Sequence, residues 1–300
     1  MIAIQNVSKQ FGSFKALDDI SATINEGQVF GLIGTNGAGK STLMRVMCGV
    51  YQPDSGQVIV DDEPVYDNPA RKADIFYISD DQYFFGNGTP TDMVRYYRNF
   101  YPGYDMDRFH KLMEILQLDE KRKINNFSKG MKKQVSVILG VCANTKYLLC
   151  DETFDGLDPV MRQAVKNLFI QEMDERKLTP IIASHNLREL EDICDHIGLL
   201  HKGGILFSKD LDEMKLGIHK VQFVLGNNAD FETAFQGIEI LQRENRGSLI
   251  TLTLRGERGR IESIMRGLCP VFHEILPLSL EEIFISETEV KGYDFKNLIL

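Results

Sequence analysis

Nine consecutive residues, Gly34-Thr35-Asn36-Gly37-Ala38-Gly39-Lys40-Ser41-Thr42, restrict this chain more than any other stretch. They follow the apolar run Val29-Phe30-Gly31-Leu32-Ile33 and precede Leu43-Met44-Arg45-Val46-Met47, so the order is strand, glycine loop, helix. That is the context in which a G-x-x-x-x-G-K-S match denotes a phosphate-binding loop. Glycines let backbone N–H groups turn inward and ring an anion where a Cβ would obstruct them. A helix opening near Lys40 adds the positive end of its dipole. Lys40 is then placed to reach the outer phosphates of a nucleotide, and the Ser41 hydroxyl to complete a magnesium shell.

The rest of the chain supplies an α/β frame for such a loop. Apolar strands are expected at 2–7, 21–24, 57–60, 75–78, 147–150 and 180–184, with a helix from about Pro159 to Lys177. Strands alternating with helices imply a mostly parallel, buried sheet, which binds ligands at the carboxyl ends of its strands. Thr35, Asp80, Asp151 and His185 all fall just past strand ends, so they can converge. Residues 84–145 read instead as a helical insertion. Met93, Val94, Tyr97 and Phe100 form one apolar stripe, Phe109, Leu112, Met113 and Leu116 a second, and a further helix opens near Lys129.

The pattern resets near Met214 to His219, which places a domain boundary at 215/216. Beyond it the expected order is strand 220–225, helix 230–235, strands 238–243 and 248–254, helix 260–267 and strand 271–276. This β-α-β-β-α-β order is that of a ferredoxin-like domain. A last helix is expected over Leu280 to Ser286, with a loose acidic tail after it. A net charge of −9 argues against a nucleic-acid partner bound by phosphate neutralisation. Five scattered cysteines read as reduced core thiols, and the N-terminus has no signal-peptide pattern. The longest apolar run, Val135 to Ala143, is too short to span a bilayer, so the chain is expected to be cytoplasmic.

The pair Asp151-Glu152, directly after Tyr147-Leu148-Leu149-Cys150, reads as the second half of an ATP site. A carboxylate ending a buried strand can hold magnesium, which is the role expected of Asp151. Glu152 is then placed to orient or deprotonate a water attacking the γ-phosphate.

Phe127-Ser128-Lys129-Gly130-Met131-Lys132-Lys133-Gln134 resembles the signature of ABC transporter nucleotide-binding subunits, usually written L-S-G-G-Q. Its place between the phosphate loop and Asp151-Glu152 fits that family, as do Gly156-Leu157-Asp158-Pro159 and Ala183-Ser184-His185. The resemblance covers roughly residues 1–215 and implies a P-loop ATPase domain with a mostly parallel sheet, an antiparallel β subdomain and the helical insertion. It implies an ATP- and Mg2+-dependent ATPase that dimerises head to tail with a second such subunit and powers a separate membrane permease. The chain would sit peripherally on the inner face of the membrane through that partner. In this reading Ser128, Lys129 and Gly130 contact the other subunit's ATP, Phe11 stacks on adenine, Asp158 communicates across the dimer and His185 contacts the γ-phosphate.

Three departures qualify the resemblance. The family's usual glutamine after the strand ending at Ser79 is replaced by Asp80, with Asp81 next and Gln82 two residues late. Asp80 is retained as a nucleotide and metal contact. Lys129 and Met131 replace the commonest glycine and glutamine of the signature, and Thr153 stands where proline is usual. Such variants, with the segment Ser279-Leu280-Glu281-Glu282-Ile283-Phe284, resemble ATPases that pair with separately encoded export-type membrane subunits. The rival reading is a soluble regulatory ATPase whose ATP-dependent assembly controls a partner without transport.

Overall fold

The computed structural model describes residues 1–226, 231 and 233–290. The chain forms two compact units, Met1–Ser208 and Lys209–Leu300. The division falls before the helix Leu211–Gly217, somewhat earlier than the boundary read from the sequence.

The first unit contains two sheets. One has six strands in the order Gly204–Asp210, His196–His201, Phe30–Ile33, Thr179–Ser184, Tyr147–Asp151 and Ile75–Ile78. Its pairings from His196–His201 through to Ile75–Ile78 are parallel. Every residue of Phe30–Ile33, Tyr147–Asp151 and Thr179–Ser184 is buried, as parallel strands covered on both faces require. The other sheet runs in the order Phe14–Ile24, Ile2–Phe11, Ser55–Val60, Glu63–Pro64, and is antiparallel. Between them lies a core of Ile2, Leu17, Leu43, Met44, Met47 and Leu149, which fixes the loop-bearing strand and its helix against the antiparallel sheet.

The insertion between Ile75–Ile78 and Tyr147–Asp151 comprises the helices Pro90–Tyr97, Met106–Ile115 and Lys129–Cys142. Met93, Val94, Phe109 and Met113 are buried as their spacing requires, but Phe100 is 55% exposed. The first helix stops at Tyr97, so the residues after it leave the helical periodicity that had placed Phe100 in the core. Glu172, in the helix Pro159–Arg176, is fully buried and paired with Arg108 of the insertion and with Arg176. Among the described residues no helix is long and apolar enough to cross a membrane.

The second unit has an antiparallel sheet in the order Glu239–Arg246, Leu249–Arg255, Ile218–Val224, Phe272–Leu276. Ile218–Val224 and Phe272–Leu276, the first and last of these strands in the chain, are neighbours, and the helix Arg258–Leu268 joins Leu249–Arg255 to Phe272–Leu276. The strand order and this helix match the expected split-βαβ pattern. Between the first two strands the described residues contain only the 3-10 turn Thr233–Phe235. Residues 230 and 232 of the expected helix lie outside the described residues, as does the tail at 291–300. Phe223, Phe235, Leu252, Leu254, Ile261 and Met265 form the core of this unit. All five cysteines are free, and Cys142, Cys150 and Cys194 are buried. Cys269 is exposed, because it follows the helix Arg258–Leu268 in a left-handed conformation at φ 43°. It therefore corrects the reading of all five as core thiols.

Candidate functional site

The glycine loop leaves the carboxyl end of the buried strand Phe30–Ile33 and enters the helix Lys40–Met47. Gly39 sits at φ 107°, and a Cβ there would lie 2.5 Å from the Ala16 carbonyl oxygen, so only glycine fits. Within the loop, the Ala38 N–H donates to the Thr35 carbonyl at 3.0 Å. The Ala38 carbonyl in turn accepts from the Gly203 N–H at 3.0 Å, which pins the loop from outside. Residues Thr35 to Thr42 line a cleft of about 250 Å³ together with Phe14, Ala16, Asp80 and Glu152.

Lys40 is nearly buried, at 6% exposure. Its ammonium donates to the Gly34 carbonyl at 2.7 Å and lies 3.2 Å from Glu152 Oε1. His185 Nδ1 lies 2.9 Å from Glu152 Oε2. An ionised carboxylate only accepts, so Nδ1 carries the proton in this pair. Glu152, just past the end of one strand, therefore joins residues that follow two others. Its own backbone is left-handed, at φ 48°, and its N–H donates to the Ala183 carbonyl at 3.0 Å.

Asp151 is 1% exposed beneath the cleft. Burial raises its carboxyl above the ordinary carboxylate range, while hydrogen bonds from Ser41 and Tyr77 pull the other way. The Tyr77 hydroxyl donates to Asp151 Oδ2 at 3.0 Å. Burial, then the Asp151 charge, push that phenol well above its usual range and keep it a donor. Asp151 Oδ1 is buried without a hydrogen-bond partner. Such an orphan oxygen beside Ser41 suits a hard cation. Among the described residues no three His, Cys, Asp or Glu side chains could hold a metal by themselves. A cation here needs the serine hydroxyl and phosphate oxygens to complete its shell.

Of the three candidates for the usual glutamine position, Asp80 lines the cleft. Gln82 instead faces a small separate recess with Tyr77, Tyr83 and Tyr97. Asp80 Oδ1 accepts from Lys133 at 3.1 Å. Phe14, Tyr77 and Lys133 were not singled out from the sequence. Phe14 lies just past the Phe11-Gly12 step and Tyr77 alternates within a strand, signals too common to select a site residue.

The remaining candidates stand apart from this cleft lining. Phe11 is 43% exposed and meets Tyr51 edge-on at 5.4 Å, while Phe14, across the hairpin, faces the loop. Ser128 caps the helix Lys129–Cys142 by accepting from the Met131 N–H at 3.2 Å. Lys129 is exposed and pairs with Asp155 at 3.2 Å. The Gly130 Cα faces the Gly156 carbonyl, which a Cβ would meet at 3.4 Å. Asp158 caps the helix Pro159–Arg176, accepting from the Val160 and Met161 N–H groups at 3.0 Å each.

Residues 17–155 match the family model described as ABC transporter. The chain is 32% identical over 287 residues to the ABC transporter ATP-binding protein YtrB of Bacillus subtilis (strain 168), covering 96% of this chain and 98% of the relative. It is 29% identical over 218 residues to the bacitracin transport ATP-binding protein BcrA of Bacillus licheniformis, covering 72% of this chain and 71% of the relative. Among solved structures, a dimeric ATP-binding cassette in a post-hydrolysis state with ADP and Pi superimposes with a TM-score of 0.64 at 20% identity. That match covers 70% of this chain and 99% of the other and establishes a shared fold.

Proposed function

Because this chain belongs to the family of ABC transporter ATP-binding proteins, we propose that it hydrolyses ATP in a dimer that drives export through a separate membrane permease. The observation that carries this reading is the meeting of Lys40, Glu152 and His185 at one cleft lined by the phosphate loop.

In the free chain the Lys40 ammonium is engaged by Glu152 and by the Gly34 carbonyl. Incoming β- and γ-phosphates present a denser negative charge, and Lys40 turns to them. Glu152 is thereby released to accept a proton from water as the water oxygen bonds to the γ-phosphorus. The bond from that phosphorus to the β–γ bridging oxygen breaks, leaving ADP and phosphate. The Nδ1–H of His185 holds the Glu152 carboxylate in orientation, and Nε2 donates to a γ-phosphate oxygen only when it too carries a proton. Ser41, Asp151 and Asp80 would hold Mg2+, which when bound supplies positive charge to the phosphate oxygens. Phe11 and Phe14, flanking the Gly12-Ser13 tip of one hairpin, offer rings on which the adenine stacks.

Dimerisation is supported by the position of Ser128, Lys129 and Gly130. They present a helix N-terminus, an anion-binding feature, yet they do not line this chain's own cleft. A second copy turned head to tail gives them a nucleotide to contact, with Asp158 close to the same junction. A membrane partner is supported by the aromatic surface after Asp80, where Tyr83, Tyr96 and Phe100 are 76%, 44% and 55% exposed. Transport is supported by the bacitracin transport relative, and export by the resemblance of Asp80 and the Ser128–Met131 variants to ATPases paired with export-type membrane subunits. The soluble regulatory alternative lacks any comparable observation.

Two experiments decide the matter. Lys40→Ala should abolish most nucleotide affinity by calorimetry, and unchanged binding would refute the phosphate-site reading. Affinity purification from solubilised membranes should bring down a polytopic protein, whereas a purely soluble complex would refute the transport reading.

A further inference from the structure

Lys133 lies in the helix Lys129–Cys142 and is 1% exposed, whereas Lys129 is exposed and Lys132 only half-buried. A buried ammonium needs strong partners to offset its lost hydration. Lys133 has two: Asp80 Oδ1 at 3.1 Å and the backbone carbonyl of Glu152 at 2.6 Å. The first partner lies on the cleft lining. The second is the main chain of the residue whose carboxylate meets Lys40 and His185.

That carbonyl is not an arbitrary acceptor. Glu152 is left-handed, a conformation that costs a non-glycine residue and persists only where neighbours impose it. Its N–H is fixed by Ala183, and its carbonyl accepts from Lys133 and from the Asp155 N–H at 3.2 Å. The ammonium therefore holds one side of the turn that aims the side chain. It also sets a positive charge among Asp80, Asp151 and Glu152, whose mutual repulsion would otherwise spread the cleft.

We propose that Lys133 is a positioning residue for hydrolysis, joining Asp80 to the Glu152 carbonyl and so fixing the bearing of the Glu152 carboxylate on the nucleotide cleft. The proposal rests on Glu152 being the group that takes the proton from water. Because Lys133 is five residues beyond Ser128 in a helix that Ser128 caps, it also ties the Ser128–Gly130 end of that helix to the cleft of its own chain.

The test is steady-state phosphate release from Mg-ATP by the purified full chain, with thermal melts confirming folding. The variants are Lys133→Met, Lys133→Gln, Asp80→Asn and the Lys133→Met/Asp80→Asn pair. Lys133→Met should lower kcat at least thirtyfold and leave KM within threefold, since affinity depends on the loop. Lys133→Gln keeps an N–H donor one bond shorter than the ammonium, directed to the Glu152 carbonyl, and should recover at least fivefold of that loss. The paired variant should lose less than the product of the two single losses, because the Lys133 bond is common to both while Asp80 also faces the cleft in which Mg2+ would sit. A parental kcat in Lys133→Met, a loss that falls on KM, or two losses that simply multiply would overturn the proposal. If Lys133→Met does not fold, Lys133→Gln carries the test: reduced kcat at constant KM supports it and parental kcat overturns it. An inactive parent chain would instead overturn the hydrolytic reading, and this assignment with it.

Discussion

Glu152 Oε1 and Lys40 Nζ lie 3.2 Å apart, so the residue that would activate water and the residue that would bind phosphate neutralise each other in the free chain. Both side chains are largely shielded from solvent, at 13% and 6% exposure, which makes this contact stronger than a surface ion pair. On the proposed function, nucleotide entry would exchange one ion pair for another and leave the glutamate unengaged on that side.

Glu152→Gln should preserve ATP affinity within a few-fold and lower phosphate release by a factor of about 10² to 10⁴, the usual contribution of a general base. Size-exclusion chromatography with Mg-ATP should then show a stable dimer. A glutamine variant that turns over at the parental rate removes Glu152 from the chemistry.

The hairpin tip between Phe11 and Phe14 makes a separate prediction. Replacing both by alanine should weaken ATP binding roughly tenfold, since stacking on an aromatic ring is worth about 1–3 kcal/mol per base. Titration calorimetry measures it, and the single variants apportion it between the ring facing the loop and the ring against Tyr51. Parental affinity in the double variant would place the base elsewhere.

Glu172 is expected to matter for stability alone. It is fully buried between Arg108 and Arg176, which are themselves partly exposed. Glu172→Gln should cost about 3 kcal/mol in urea unfolding, the low end for breaking a buried pair, because the arginines can regain water. Nucleotide affinity of the folded variant should not change.

Asp61 gives the fold an acid-sensitive point. Burial pushes its carboxyl up, but hydrogen bonds from the Met1 amine, Lys146 and Tyr147 outweigh that and hold it at about 2. A carboxyl depressed below its ordinary value near 4 stabilises the fold above that value and loses the contribution as pH falls. The parent should therefore lose stability between about pH 4 and about pH 2, and Asp61→Asn should be flatter across that window. Urea midpoints at stepped pH provide the comparison, and parallel curves would discount Asp61.

The phosphate loop was legible because its glycines, lysine and serine are contiguous, and local spacing carries their geometry. Glu152 and His185 were legible for a related reason: each directly follows an apolar strand, and strand ends of a parallel sheet converge. Lys133 was not, because the segment's resemblance to the family signature drew attention to Ser128–Gly130, and only the packing of the helix against the Glu152 turn shows which of its lysines is buried. Tyr77 was hidden likewise. Its partner Asp151 is on the neighbouring strand, and sequence pattern does not give inter-strand register. Phe100 failed in the other direction, since helical periodicity was carried three residues past the real end of its helix.

The free thiols differ enough in environment to serve as an experimental handle. Burial pushes Cys48 up to about 11 and Cys142 and Cys150 up to about 12, and it raises Cys194 further still. Thiolate is the nucleophile, so these four should react slowly with maleimides near neutral pH. Cys269 alone is exposed. One brief labelling step would therefore place a single fluorophore on the second unit, with no cysteine engineered in or out. In a chain without tryptophan, its response to ATP could be followed free of competing indole emission.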